Sequence, residues 1–295
     1  MHKDQASKLR QMMGRPHSRE RKSSTPPPTR RATKTIAVCS GKGGVGKSNV
    51  ALNLSIMLSS AGNRVALVDA DMGMANLDVL LNADIQGDIS HVVAGTKRLE
   101  DIVVDLPSGV QFVAGASGLA RLANLSEFQR TRLAEELTQL EADNDLIIID
   151  CGAGIGPDVL QFASAADIVL VVTTPEPTAI TDAYGMIKAL SRRGYIGSLS
   201  VLTNQADNRQ EGRATYQRLA EVARRFLDIR VFDAGYIDED PKVRQAVRRR
   251  QAFVLAYPKC PASRAIGALV NKLSPGGALV RQKEGFFRRM VKLFA

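Results

Sequence analysis

An α/β fold with a doubly wound, mostly parallel sheet is predicted by three features of the sequence. Apolar runs of strand length alternate with segments of helical spacing. A glycine-rich loop, Gly41-Lys42-Gly43-Gly44-Val45-Gly46-Lys47-Ser48, sits between one such run and one such helix. Two further apolar runs end in aspartate, and in an open parallel sheet the carboxyl ends of the strands form the ligand-binding edge.

The first strand is expected near residues 35–40, where Thr35-Ile36-Ala37-Val38-Cys39 leads into the loop. A helix over 47–61 follows, with Val50, Ala51 and Leu54 at helical spacing. Arg64-Val65-Ala66-Leu67-Val68-Asp69 reads as the second strand, with Ala70-Asp71 just beyond it. Strands are expected next near 110–114 and 145–150, the latter being Asp145-Leu146-Ile147-Ile148-Ile149-Asp150, with a helix over 126–142 between them. Strands near 167–174, 198–204 and 231–236 then alternate with helices over 178–193 and 209–227, and a helix over 261–273 closes the domain. The hydrophobic content of 44% suffices for one large core in a chain of 295 residues.

A strand that delivers a glycine-rich loop to a helix N-terminus makes a phosphate site. The glycines let backbone N–H groups approach phosphate oxygens with no Cβ in the way. Gly41, Gly43, Gly44, Val45, Gly46 and Asn49 complete the expected nucleotide-binding set around two lysines. Lys47 is expected between the β- and γ-phosphates, and the Ser48 hydroxyl is expected to ligate Mg²⁺. Lys42 is surplus to that scheme; a cation there can reach phosphate on a neighbouring subunit. Of the strand-end acids, Asp150 is assigned to the Mg²⁺ shell through water, Asp69 to metal-side support, and Asp71 to orienting or deprotonating the attacking water. Gly152 and Gly154 would let the loop after Asp150 move when the γ-phosphate leaves.

The Lys42-bearing loop, the stretch Asp69 to Asp78 and the stretch Asp150-Cys151-Gly152-Ala153-Gly154 resemble the MinD/ParA group of deviant Walker P-loop ATPases. The resemblance runs from about Thr35 to Leu273 and takes in Thr174-Pro175-Glu176-Pro177-Thr178 with Asp182-Ala183-Tyr184, and Gly235-Tyr236-Ile237-Asp238-Glu239-Asp240-Pro241 with Val243-Arg244. It implies ATP hydrolysis with Mg²⁺, an ATP-dependent homodimer in which Lys42 acts across the interface, switch segments at Asp71–Asp78 and Asp150–Gly154, and an adenine contact from Asn204. Ser48 and Cys151 stand where many relatives have threonine. Asp4-Gln5-Ala6 with Leu9-Arg10 is similar to the N-terminal motif of the FlhG family, MinD-type regulators of flagellar number and placement. That likeness implies stimulation of an FlhF-type GTPase, with Gln5 supplied to the partner's active site. It further implies flagellar basal-body or transcription-regulator proteins as partners.

Charge is concentrated at the ends. Residues 1–34 hold ten Lys or Arg against two acids, +8 of the overall +10; residues 281–295 contribute +4 and leave the middle at −2. A nearly neutral domain offers no general nucleic-acid surface, so DNA is not expected as a partner. The expected organisation is a partner motif over 1–13, a basic linker over 14–34 containing Ser23-Ser24-Thr25-Pro26-Pro27-Pro28, the ATPase domain over 35–274, and a linker with an amphipathic helix over 275–295. On a helical wheel Phe286, Phe287, Met290, Val291, Leu293 and Phe294 share an arc of about 160°, with Arg288, Arg289 and Lys292 opposite. Such a helix can lie in an anionic membrane surface.

No apolar stretch reaches the roughly 20 residues that span a bilayer, and no secretory signal is visible. The expected location is therefore cytoplasmic, with reversible peripheral attachment to the inner face of the membrane. Cys39, Cys151 and Cys260 are far apart in sequence and read as buried thiols. Three rivals differ in what they require. A ParA-type DNA-partitioning ATPase would bind DNA through basic patches. An iron–sulfur donor would need paired thiolates, and Cys151 has no cysteine neighbour in sequence. A scaffold would bind ATP without turnover.

Overall fold

The computed structural model describes residues 33–71, 77, 85–115, 126–273 and 285–293. Eight strands form one sheet: β1 (Lys34–Ser40), β2 (Val65–Ala70), β3 (Val103–Asp105), β4 (Val110–Ala114), β5 (Leu146–Ala153), β6 (Ile168–Thr173), β7 (Ser198–Ala206) and β8 (Phe232–Asp238). Their order is β3-β4-β2-β5-β1-β6-β7-β8, and every pairing is parallel except β3 with β4. The central strands are apolar at successive positions because both faces are covered, as a parallel sheet requires.

Helices α1 (Lys47–Ser60), α2 (Ile89–Val93), α3 (Glu127–Asp143), α4 (Pro157–Ala165), α5 (Pro177–Arg192), α6 (Arg209–Leu227), α7 (Pro241–Arg248), α8 (Phe253–Ala256), α9 (Pro261–Leu273) and α10 (Phe286–Leu293) complete the described elements. Alternate strand residues sort into two cores. Ala37, Val68 and Ile149 face a layer holding Leu137, Phe162, Met186 and Leu219 from α3 to α6. Ile36, Leu67 and Ile148 face Leu54 of α1 and Ile266 of α9. The doubly wound, mostly parallel fold expected from sequence is thus observed, and the seven expected strands and five expected domain helices are present with ends within three residues of those expected.

Four helices and one strand were not anticipated: α2, α4, α7, α8 and β3. Each is too short for periodicity to register, and local chemistry fixes the ends instead. Pro157 and Pro241 start α4 and α7, where a missing N–H costs nothing, and Asp240 caps α7 by accepting from the Lys242 N–H at 2.9 Å.

The C-terminal helix departs from expectation in what covers it. Phe286, Phe287 and Met290, expected on a membrane-facing surface, are 2%, 1% and 0% exposed and belong to the core that includes α3 and α4. The Phe286 and Phe287 rings meet edge to face with centroids 4.9 Å apart. Polar contacts fix the helix at both ends of this patch. The Phe287 N–H donates to Glu141 Oε1 at 2.7 Å, and Arg289 donates to the Ala165 carbonyl at 2.8 Å and to Asp167 Oδ1 at 3.0 Å. An amphipathic stripe reports that a helix needs an apolar partner, and here the domain itself supplies one. Val291 and Leu293 lie in α10, but their side chains, like Phe294, Gln5 and the rest of residues 1–32, fall outside the described residues. So do Met72 to Asn76 and Asp78 of the first expected switch segment.

Candidate active site

The sheet register brings the strand-end acids to the glycine-rich loop. β5 lies between β1 and β2, so Asp150 is opposite Val38 on one side and Asp69 on the other. The loop then passes over these carboxylates and enters α1. Gly44 and Gly46 have φ of 81° and 86°, values that favour glycine. Gly41 is excluded from substitution by space: a Cβ there would come within 2.2 Å of the Asp182 backbone carbonyl.

Lys47 is the electrostatic centre. Its ammonium is 6% exposed and contacts Asp150 Oδ1 at 2.7 Å and Asp71 Oδ2 at 3.8 Å. Burial alone would lower its pKa, but the Asp150 carboxylate outweighs that and holds the lysine above its ordinary value, so it remains a cation. Burial raises the Asp150 carboxyl against the pull of Lys47. Among the described residues Asp150 Oδ2 has no hydrogen-bond partner. A buried carboxylate oxygen without a donor is costly, and a cation is the natural group to satisfy it. Among the described residues no cluster of three or more His, Cys, Asp or Glu could hold a metal by itself. Mg²⁺ fits such a site because it keeps waters and takes phosphate oxygens, needing only one or two protein donors. Ser48 and Asp150 are suitably placed to supply them.

Asp69 is 2% exposed, lies beside Asp150 in the sheet and accepts the Asp71 N–H at 3.0 Å, which ties it to the backbone of Asp71. Burial lifts its pKa to about 7, with the Asp150 and Asp71 carboxylates adding to the shift and the Asp71 N–H and Lys47 opposing it. Asp71 itself, half-buried, lines the cavity with Ser48, Asn49, Gly152 and Asn204. The cavity has a volume of about 1060 Å³. The loop after β5 is tied to the glycine-rich loop through the Gly154 N–H, which donates to the Ser40 carbonyl at 2.9 Å.

Lys42 points away from Lys47. Its ammonium meets Glu176 Oε2 at 2.6 Å and Thr178 Oγ1 at 3.1 Å, with the side chain about one third exposed (32%). Glu176, which follows the end of β6 as Asp71 follows β2, has no role assigned from sequence. Val243 and Arg244, part of the stretch that carries the resemblance, also line the cavity with Arg248 of α7; none of the three has a role assigned from sequence. Cys151 does have a cysteine neighbour, contrary to its isolation in sequence. The Cys39 thiol hydrogen-bonds it and, with burial, pushes the Cys151 thiol well up, so both are inert core thiols.

A family model described as an AAA domain matches residues 33–193. The antiactivator FleN of Pseudomonas aeruginosa is 41% identical over 238 residues, covering 81% of this chain and 85% of that protein. The flagellum site-determining protein YlxH of Helicobacter pylori is 37% identical over 268 residues, 88% of this chain and 90% of its own. Among solved structures, the septum site-determining protein MinD of Pyrococcus horikoshii, complexed with Mg-ADP, superposes with a TM-score of 0.65 at 25% identity, over 82% of this chain and 96% of that one.

Proposed function

Since this chain belongs to the MinD/ParA-type P-loop ATPases, together with the flagellar regulators FleN and YlxH, we propose that it works as an ATP-timed switch between a monomer and a membrane-associated homodimer. The observation that carries the reading is the pairing of its two loop lysines with the protein's own carboxylates. Lys47 rests on Asp150, and Lys42 rests on Glu176 at the rim. Triphosphate entering the loop offers Lys47 a stronger anion and leaves Asp150 facing Mg²⁺. Lys42, on its exposed side chain, is free to exchange Glu176 for phosphate of a second protomer. Ser48, and Asp150 through water, would hold Mg²⁺ against the phosphates, where the ion would supply neutralisation of the charge that develops on the phosphate oxygens. Asp71 then orients the attacking water, a role helped by the Asp69 carboxylate that fixes its backbone.

The docked α10 supports a second half to the switch. Released from α3 and α4, its apolar face would enter an anionic membrane interface, and its basic residues would gain roughly 1 kcal/mol each near the surface. A single short helix binds weakly, whereas two on one dimer bind together because the second meets a high effective concentration. Among the described residues no helix is long and apolar enough to cross a membrane. We assign the chain to control of flagellar number and placement on its likeness to FleN and YlxH. Gln5 is the residue proposed to stimulate an FlhF-type GTPase, with basal-body or transcription-regulator proteins as further partners. The domain limits 1–13, 14–34, 35–274 and 275–295 remain the proposed organisation.

Size measurement with ATP against ADP tests the dimer, with Lys42→Ala as control. A monomer with ATP would overturn it. Pelleting of ATP-loaded Asp71→Ala with anionic liposomes tests the membrane half, and failure to pellet would sink it. A second reading, the ParA-type DNA-partitioning ATPase, is favoured by one feature: Lys242, Arg244, Arg248, Arg249 and Arg250 are all exposed on or just after α7. Salt-sensitive binding of duplex DNA by ATP-loaded protein lacking both tails would select it.

A further inference from the structure

We infer that Asn204 is a positioning residue for the phosphate loop as well as a contact for the base, so that one amide couples base recognition to phosphate binding. The register of β7 against β8 shifts between Thr203 and Ala206, and Asn204 and Gln205 occupy the irregularity. Gln205 has a φ of 55°, a left-handed conformation that costs a non-glycine residue free energy. This local distortion falls where the strand meets the glycine-rich loop. Asn204 Nδ2 donates to the Val45 carbonyl at 2.8 Å. The approach is so close that a Cβ on Gly46 would stand 2.3 Å from the same nitrogen.

The physical consequence concerns which backbone groups face the phosphates. A phosphate cradle needs N–H groups turned inward and carbonyls turned away, because a carbonyl oxygen repels an anion. Val45 is buried, so its carbonyl cannot turn to bulk water and requires a donor inside the protein. Asn204 is that donor. Gly46, the N-cap of α1, makes no side-chain cap, so its left-handed conformation is held from outside the helix, and the Asn204 amide packs directly against it. The amide keeps one N–H and its Oδ1 for a ligand, the pair that matches the N7 acceptor and N6 donor of adenine. Asn204 lines the cavity, so this edge is open to a base.

The inference rests on the reading of Asn204 as the base contact, and inorganic tripolyphosphate separates the two, since it carries the phosphates without a base. The full chain, Asn204→Ala and Asn204→Leu would be titrated with Mg-ATP, Mg-GTP and Mg-tripolyphosphate well below their melting temperatures. Both variants should bind tripolyphosphate about five- to tenfold more weakly than the parent, the range one lost hydrogen bond supplies. A general loss of stability would lower the melting temperature and leave that affinity intact. Tripolyphosphate affinity unchanged in the variants overturns the inference, as does a parent protein that does not bind tripolyphosphate. Should the alanine variant fail to fold, the leucine variant, of similar size and uncharged but lacking the donor, decides. Variants that lose tripolyphosphate affinity yet prefer ATP over GTP as the parent does would remove the base contact and leave the positioning role standing.

Discussion

Replacing Arg289 by alanine should release α10 from the domain while leaving the sheet intact. The guanidinium and its partner Asp167 are 12% and 13% exposed at 3.0 Å, and the same side chain donates to the Ala165 carbonyl at 2.8 Å. Breaking a buried pair from one side costs about 3–5 kcal/mol, most of it from the charge left behind. Asp167 is not abandoned completely, because Oδ2 still accepts the Thr35 N–H at 2.9 Å and hydroxyl at 2.8 Å. The lower end of the range, about 3 kcal/mol, therefore applies. At 1.4 kcal/mol per factor of ten, the open population of α10 should rise roughly a hundredfold. Native-state amide hydrogen exchange reads this directly, with α10 losing protection by about two orders of magnitude and β5 serving as the internal control. Measuring without membrane keeps the change in lipid affinity out of the result. Equal protection of α10 in the parent and the variant would refute the reasoning, because the pair would then contribute nothing to docking.

Lys47→Gln should abolish ATP hydrolysis and also destabilise the protein by about 3–5 kcal/mol, since Asp150 would be left buried without its cation; denaturant unfolding measures the second effect. Gly41→Ala should lose nucleotide binding, because a Cβ 2.2 Å from the Asp182 carbonyl displaces the loop, and equilibrium binding of a fluorescent ATP analogue would detect it. Glu176→Gln should change unfolding stability by less than about 1 kcal/mol, since its pair with Lys42 is largely solvated, while any gain in ATP-dependent dimerisation would appear as a lower concentration midpoint. Docking of α10 should also depend on pH. Burial raises the docked Glu141 carboxyl above its ordinary value, with Asp167 adding to the shift and the Phe287 N–H, Arg288 and Arg289 opposing it. Docking therefore takes up a proton: it is fully favoured below the ordinary glutamate pKa and weakens as pH rises through the raised one. The same exchange measurement across that interval should show α10 loosening, and Glu141→Gln should flatten the response.

The phosphate loop and the strands that hold it were legible because each is a local pattern. Apolar runs specify doubly covered strands, glycines specify a backbone free to turn, and Asp150 is identified by its place at a strand end. Short elements such as α4 and α7 escaped because a turn or two of helix carries too little periodicity, and their proline and aspartate signals are common elsewhere. That is also why Val243, Arg244 and Arg248, which line the cavity from α7, have no role assigned from sequence.

Sequence by itself therefore determined the α/β sheet, the nucleotide chemistry of Gly41 to Ser48 and the amphipathic character of residues 286–293. Tertiary structure decided which partner each group finds. It tied the Asp71 N–H to Asp69, paired Lys42 with Glu176 across 134 residues, and tied Asn204 to Val45 across 159. It also covered Phe286, Phe287 and Met290 with α3 and α4. The reason is physical: periodicity and residue type state what a side chain requires, an apolar cover or an opposite charge, but the group that meets the requirement is brought in by chain distant in sequence.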